Sequence, residues 1–228
     1  AFYTVDYNGK QMLGASALGL VANYGDFSQN LKMGALKSEK KHLAYKMTRI
    51  KKEKIEKDAN EATIGFINSK KDSMTLRLHV SNNDIAYKYE MIRPKKDNPK
   101  SVIIYHEVSG FNFPEKTTTF LCPQITPMTG WERTKPSYEE EYTPDAPMNV
   151  KSQFGVGYTF PCLFKVGNDG WVLVSETGVS SAYPGCRLSD YEPGKGYTVA
   201  FPQKGENNGF GSEFAGIPLP GETPWRTI

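Results

Sequence analysis

Apolar and polar side chains alternate with a period of two through most of this chain, which is the signature of half-buried β-strands. Phe2 to Tyr7 opens the pattern and runs into Asn8-Gly9, a strong signal for a tight hairpin. Similar runs follow at Glu61–Asn68, Met74–Val80, Ile85–Ile92, Ser101–Val108, Thr117–Cys122, Phe154–Val166 and Trp171–Ser175. Turn-forming stretches separate them, among them Asn82-Asn83-Asp84 and Gly167-Asn168-Asp169-Gly170. Within Met74–Val80, the expected inward face is Leu76, Leu78 and Val80, with Thr75, Arg77 and His79 on the other. A charged helix over 42–54 is the competing reading of the lysine-rich region, but Tyr45, Met47 and Arg49 suit strands better. Lys32–Lys57 therefore reads as a solvated, charged hairpin. Gly14–Gly19 reads as a turn or bulge, because its second glycine falls one residue late for a G-x-S-x-G nucleophile elbow. The pattern predicts an all-β chain of about a dozen or more short strands in two packed sheets.

The length of 228 residues suits a single domain of this class, and 12% aromatics with 21 glycines and 15 prolines suit short strands and tight turns. A net charge of +3, from 28 basic and 25 acidic residues, argues against a nucleic-acid binder, which would show a strongly basic stripe. No apolar run approaches the ~20 residues of a membrane-spanning helix. The chain starts at Ala1 with no signal-peptide pattern, so its compartment has to be inferred from elsewhere. Cys122, Cys162 and Cys186 have no C-x-x-C spacing; at most one disulfide could join two of them, and buried thiols are the expectation.

The stretch with the most chemistry is Trp131–Pro147, WERTKPSYEEEYTPDAP. On a strand, Tyr138, Glu140 and Tyr142 would share one face and Glu139 and Glu141 the other. Converging carboxylates repel unless a cation or a proton sits between them. That arrangement suits either a hard cation such as calcium or the acid and base of a glycosidase, while a solvated edge is the plain alternative. Glu140, Glu141, Glu176 and Trp131 are further candidates for contact with a substrate. His79 and His106 could act as acid and base with a glutamate, as in a sugar mutarotase, or be structural. Glu107 and Glu176 are strand-borne carboxylates whose pKa would rise on burial. Trp131, Trp171 and Trp225 could stack on sugar rings or fill the core. Gly155 and Gly157 lack the following helix of a dinucleotide-binding loop.

Six short motifs in fixed order go further. Ser16-Ala17-Leu18-Gly19-Leu20, Ala59-Asn60-Glu61, Asp84-Ile85-Ala86-Tyr87-Lys88-Tyr89-Glu90, Ser137-Tyr138-Glu139 with Tyr142, Ser175-Glu176 with Tyr183-Pro184-Gly185, and Thr223-Pro224-Trp225-Arg226 span nearly the whole chain. Together they resemble the amino-terminal domain of glycoside hydrolase family 97. Two departures concern the subfamily: the family often has Gly-Val-Ala-Phe-Arg-Tyr over 84–89, and Ala where Thr177 follows Glu176.

The resemblance implies a large two-sheet β-super-sandwich over 1–228, similar to galactose mutarotase, that lacks its first strand and the (β/α)₈ barrel that follows it. It implies the non-catalytic part of an exo-acting α-glucosidase or α-galactosidase, periplasmic or secreted, that acts on α-linked oligosaccharides. It also implies a calcium ion held by several carboxylates, with Glu139 lent by this domain and the barrel as partner. Other readings are a free carbohydrate-binding module or a mutarotase-like aldose epimerase.

Overall fold

The computed structural model describes residues 1–94, 98–126, 140–206 and 212–228, and among these the regular structure is entirely β. In chain order the strands begin with β1 (Phe2–Tyr7), β2 (Lys10–Ala17), β3 (Leu20–Ala22), β4 (Gly25–Asp26), β5 (Lys32–Lys46), β6 (Lys54–Ile67), β7 (Ser73–Ser81) and β8 (Ile85–Met91). Next come β9 (Ser101–Glu107), β10 (Gly110–Phe111), β11 (Thr117–Phe120), β12 (Ala146–Pro147), β13 (Tyr158–Thr159) and β14 (Cys162–Val166). The last are β15 (Gly170–Thr177), β16 (Arg187–Leu188), β17 (Tyr197–Ala200), β18 (Ala215–Pro218), β19 (Gly221–Glu222) and β20 (Trp225–Thr227).

One layer is a large antiparallel sheet in the order β12-β11-β14-β15-β20-β8-β7-β6-β5, with β19 also paired to β8. Facing it are two four-stranded sheets, β18-β9-β3-β4 and β10-β17-β16-β13, with the β1–β2 hairpin at one side. Backbone bonds from Val199 N to Ser109 O and from Val108 N to Gly19 O stitch those smaller sheets along the chain between β9 and β10. Side-chain alternation explains the layering. Cys162, Phe164 and Val166 of β14 and Val172 and Val174 of β15 point inward to meet Phe111, Leu188 and Tyr197. Tyr87, Tyr89, Met74 and Leu76 point inward under the other small sheet, against Leu20, Val102, Ile104 and Ile217. The expected super-sandwich is thus observed, with its second layer divided.

Several local expectations are sharpened. The charged hairpin is β5–β6, whose first strand is almost wholly exposed. On β7 the core is carried by Met74 and Leu76, while Leu78 and Val80 are only half-buried. His79 is on the outer face as expected, yet only 9% exposed. Gly14 falls inside β2, where the register against β1 shifts between Tyr3 and Val5, so this segment is a bulged strand and not a turn. Gly19 beyond it has φ of +139°, and a Cβ there would lie 2.2 Å from the Phe27 carbonyl oxygen. The single aromatic strand expected over Phe154–Val166 is instead two, β13 and β14, in opposite layers. Pro161 stands between them, and a residue with no N–H cannot continue a ladder.

At the centre, Arg226 of β20 is fully buried between two carboxylates. Its Nε donates to Glu107 Oε2 at 3.1 Å, one terminal nitrogen donates to Glu107 Oε1, and the other donates to Glu176 Oε2. Glu107 also accepts from Tyr183 Oη at 2.6 Å and Ser109 Oγ at 2.9 Å. These four bonds use the capacity of one carboxylate. Gly19 N donates to Tyr89 Oη, which leaves the phenol to donate to Ser109 Oγ, so a directed relay ends on Glu107. Desolvation pushes the Glu176 carboxyl above its ordinary range, and the attraction of Arg226, shared with Glu107, only partly offsets it.

Removing one member of such a cluster leaves a buried charge uncompensated. Arg226→Met should cost about 3–5 kcal/mol in urea unfolding, and combining it with Glu107→Gln and Glu176→Gln should recover much of that loss. For Glu176 the folded state holds its proton more tightly than the unfolded chain does. Its contribution is therefore complete below the ordinary value of 4.5 and lost as pH rises through the raised value. The stability of the parent minus that of Glu176→Gln should fall with rising pH across that window; a difference that rises with pH would refute the assignment.

Candidate functional site

The acidic stretch is anchored at one end of the large sheet. Beyond β11 the chain continues through buried Leu121, and Pro123 bridges to Tyr158 while Gln124 N bonds Gly157 O at 2.8 Å. The returning chain is tied at Glu140, whose carbonyl accepts from Cys122 Sγ at 3.8 Å. It then pairs as β12 with Thr118 and Thr119 of β11. Trp131, Tyr138 and Glu139 lie outside the described residues, so the segment is visible from Glu140 onward. Glu140 is half-buried and Glu141 and Tyr142 are exposed.

Glu141 and Tyr142 line a cleft of about 520 Å³ together with Thr119, Lys151, Gln153 and Tyr158. This volume is that of an ordinary small-ligand site. Its wall offers a carboxylate, an ammonium, an amide, a hydroxyl and phenols, which is chemistry for binding hydroxyl groups. Burial pushes the Tyr158 phenol up to about 12, so it stays protonated and donates to the Val150 carbonyl at 3.3 Å. Asp190 holds the wall by accepting from Ser152 N at 2.7 Å, and Ser152 Oγ accepts from Gly157 N at 3.0 Å. Among the described residues the cleft has one carboxylate, Glu141, so they do not assemble a glycosidase pair in it.

A second, polar cleft of about 350 Å³ flanks Gln124 and Thr159 and is lined by Glu176, Cys186, Arg187 and Glu206. Glu176 is committed here: it accepts from Arg226 and from Cys186 N at 2.8 Å. Arg187 is paired with Glu206, which also accepts from Gln203 N at 2.9 Å. Sequence reading did not pick out the Arg187–Glu206 pair or the wall residues Lys151, Gln153 and Asp190, because no spacing links these distant partners.

The remaining candidates separate. His79 sits on β7 of the large sheet, opposite Glu61 of β6, but that carboxylate is held by Lys41 and Arg77. His106 is exposed on β9 of the opposite layer, so the two histidines do not meet in one sheet. Glu107 is the buried partner of Arg226. Trp171 is 57% exposed and so is not core, and Trp225 is half-buried with the Lys88 ammonium 4.7 Å from its ring centre. None of the three cysteines is in a disulfide, and burial drives the Cys162 and Cys186 thiols well above their ordinary range, which disfavours thiolate chemistry. Among the described residues no three His, Cys, Asp or Glu side chains cluster as a metal site, and no helix is long and apolar enough to cross a membrane.

Comparison with solved structures gives a β-arabinopyranosidase crystal structure with 51% identity and a TM-score of 0.94, covering 100% of this chain and 37% of the other. Family 97 enzymes from Pseudoalteromonas sp. strain K8, solved in complex with panose and with acarbose, match at 19% identity and a TM-score of 0.77. They cover 99% of this chain and 32% of theirs, and at that identity they support the fold alone. The chain therefore spans about a third of the length of the enzymes it resembles. Comparison with curated proteins gives no match. The glycosyl-hydrolase 97 N-terminal family model matches residues 1–228, and the chain belongs to that family of glycoside hydrolase N-terminal domains.

Proposed function

We propose that this chain is the accessory, non-catalytic N-terminal domain of an exported exo-acting glycosidase that removes terminal arabinopyranose or galactose residues. The observation that carries the reading is the 51% identity, over the whole chain, to part of a β-arabinopyranosidase. In the L series a β-arabinopyranoside has the ring stereochemistry of an α-galactopyranoside without its hydroxymethyl group. That relation favours the galactoside-like branch of the expected α-glycosidases over α-glucosides.

The charge arrangement supports the non-catalytic part of the reading. Acid and base in glycoside hydrolysis need two carboxylates ~5–10 Å apart and free to meet the glycosidic bond. Among the described residues, Glu107 and Glu176 are spent on Arg226, Glu206 on Arg187, and Glu141 stands alone in its cleft. In this reading the reacting carboxylates come from the catalytic region that family relatives carry beyond this domain.

We assign Glu139 as the ligand this domain lends to an active-site calcium, on the strength of the Ser137-Tyr138-Glu139 motif. The described residues alone do not fit a calcium site. Calcium takes about 6–8 oxygen ligands, whereas the described part of the anchored segment adds the carboxylates of Glu140, Glu141 and Asp145, and Asp145 already accepts from Thr118 Oγ1. The contribution of this chain is then to hold one carboxylate against the partner region through the Cys122–Glu140 tether and the β11–β12 pairing.

The enzyme carrying both regions should release nitrophenol from nitrophenyl β-L-arabinopyranoside or α-galactoside, and the 228-residue chain alone should release none. Turnover by the isolated chain would overturn the accessory role. Glu139→Gln in the full enzyme should raise the calcium concentration for half-maximal activity by about tenfold or more. An unchanged calcium response would remove Glu139 from the metal site and leave the rest of the reading standing.

A further inference from the structure

At the other end of the large sheet, three turns meet: the tip of β1–β2, the β7–β8 turn and the β14–β15 turn. The groove between them has a volume of about 430 Å³. Tyr7 forms one wall and Trp171 the other, 44% and 57% exposed, and Met12, Val172 and Ile228 make an apolar floor. Asp6, Asn82, Asn83 and Asp84 stand around the rim. We propose that this groove binds a saccharide, with a pyranose ring stacked on Trp171 and its hydroxyl groups held by the acidic and amide rim.

The aromatic walls are held in place. Phe120 packs against Trp171 with ring centres 5.3 Å apart, and the Lys165 ammonium lies 5.9 Å from the indole centre. Tyr7 Oη donates to Asn83 Oδ1 at 3.4 Å. Asp84 is fixed by Lys57 at 2.7 and 2.8 Å and by Ser81 at 2.6 Å. A preset site loses less entropy on binding. By contrast, the side chains of Asp6 and Asn82 have no hydrogen-bond partner among the described residues, so their capacity is open to a ligand.

The lining selects the class of ligand. A pyranose presents a face of C–H groups that suits an aromatic ring, and a rim of hydroxyls that suits carboxylates and carboxamides. A phosphate or nucleic acid would meet Asp6 and Asp84. The register puts Thr117, Val166 and Gly170 in one row, so the groove is at the end of these strands opposite Cys122, where the acidic segment is tethered. A bound chain could thus be held at this groove while the anchored segment serves elsewhere. That use rests on the glycosidase reading, but the existence of the binding site does not.

Calorimetric titration of the 228-residue chain with galactotriose, maltotriose and arabinogalactan oligosaccharides tests it. At least one should bind, and Trp171→Ala should weaken that binding about tenfold or more. Tyr7→Ala should weaken it as well, Trp171→Phe should retain part of it, and all three variants should melt with the parent. In the full enzyme, Trp171→Ala should raise KM on the polymer by a larger factor than KM on the nitrophenyl glycosides. Lack of binding by every saccharide at tens of millimolar, or equal affinity in Trp171→Ala, overturns the site. So does a Trp171→Ala variant that alters self-association or domain docking while saccharide affinity is unchanged. Binding at Trp171 in an enzyme that cleaves none of the nitrophenyl glycosides would sink the glycosidase reading and leave the site standing.

Discussion

A guanidinium with no access to water, shared by two carboxylates, is the constraint around which this domain is arranged. Arg226 lies on β20, Glu176 on its neighbour β15, and Glu107 on β9 of the opposite layer. The ion cluster therefore clamps the two sheets as well as two adjacent strands. Hydrophobic burial is non-directional, whereas a bidentate guanidinium–carboxylate pair has one good geometry. The apolar clusters provide the driving force for collapse, and this cluster fixes which strand faces which. Four of the six motifs that mark the family contribute to it. Gly19 bonds Tyr89, Tyr89 bonds Ser109, Tyr183 and Ser109 bond Glu107, and Glu176 and Arg226 close the set. The Ala59-Asn60-Glu61 motif stands apart from it on β6, where Glu61 takes Lys41 and Arg77 on the outer face of the large sheet.

With the middle of the sandwich so committed, the ends of the strands are left for recognition. At one end β11 leads into the anchored acidic segment and its hydroxyl-lined cleft. At the other, the β14–β15 turn sets Trp171 beside the tip of the first hairpin. This division follows from the physics of sheets: interior rows are spent on cross-strand packing, and turns and edges are where polar groups can remain unpaired.

Much of the fold was legible because alternation is a local signal. The strand runs at Met74–Val80, Ile85–Ile92 and Ser101–Val108 and the charged β5–β6 hairpin were found where the pattern put them. Non-local facts were not. Alternation cannot say that Pro161 sends one apparent strand into two layers, nor that the outward side of β7 buries His79. At the site, Glu107 and Glu176 were correctly suspected of burial, yet their common partner Arg226 is 119 and 50 residues away in sequence. Pairing at that range leaves no periodic trace. Trp171 shows the opposite limit: composition favours a tryptophan in the core, and only the strand register reveals that Trp171 and Leu173 face outward beside inward Val172 and Val174.

The same register bears on where catalysis can reside. Among the described residues the inward acids Glu107 and Glu176 are paired with Arg226 and Glu206 with Arg187, and an inward carboxylate without such a partner would shift its pKa and lose its charge. Among the described residues a spare pair could only sit at an end of the strands: one end has Glu141 and Lys151 lining a common cleft, and the other has Asp6 with Asp84, the latter held by Lys57. A domain built this way can position a carboxylate for another region far more readily than it can hold two of its own. Under the accessory-domain proposal, that asymmetry is a physical reason for a hydrolase to divide its work between a β-sandwich that positions and a second region that reacts.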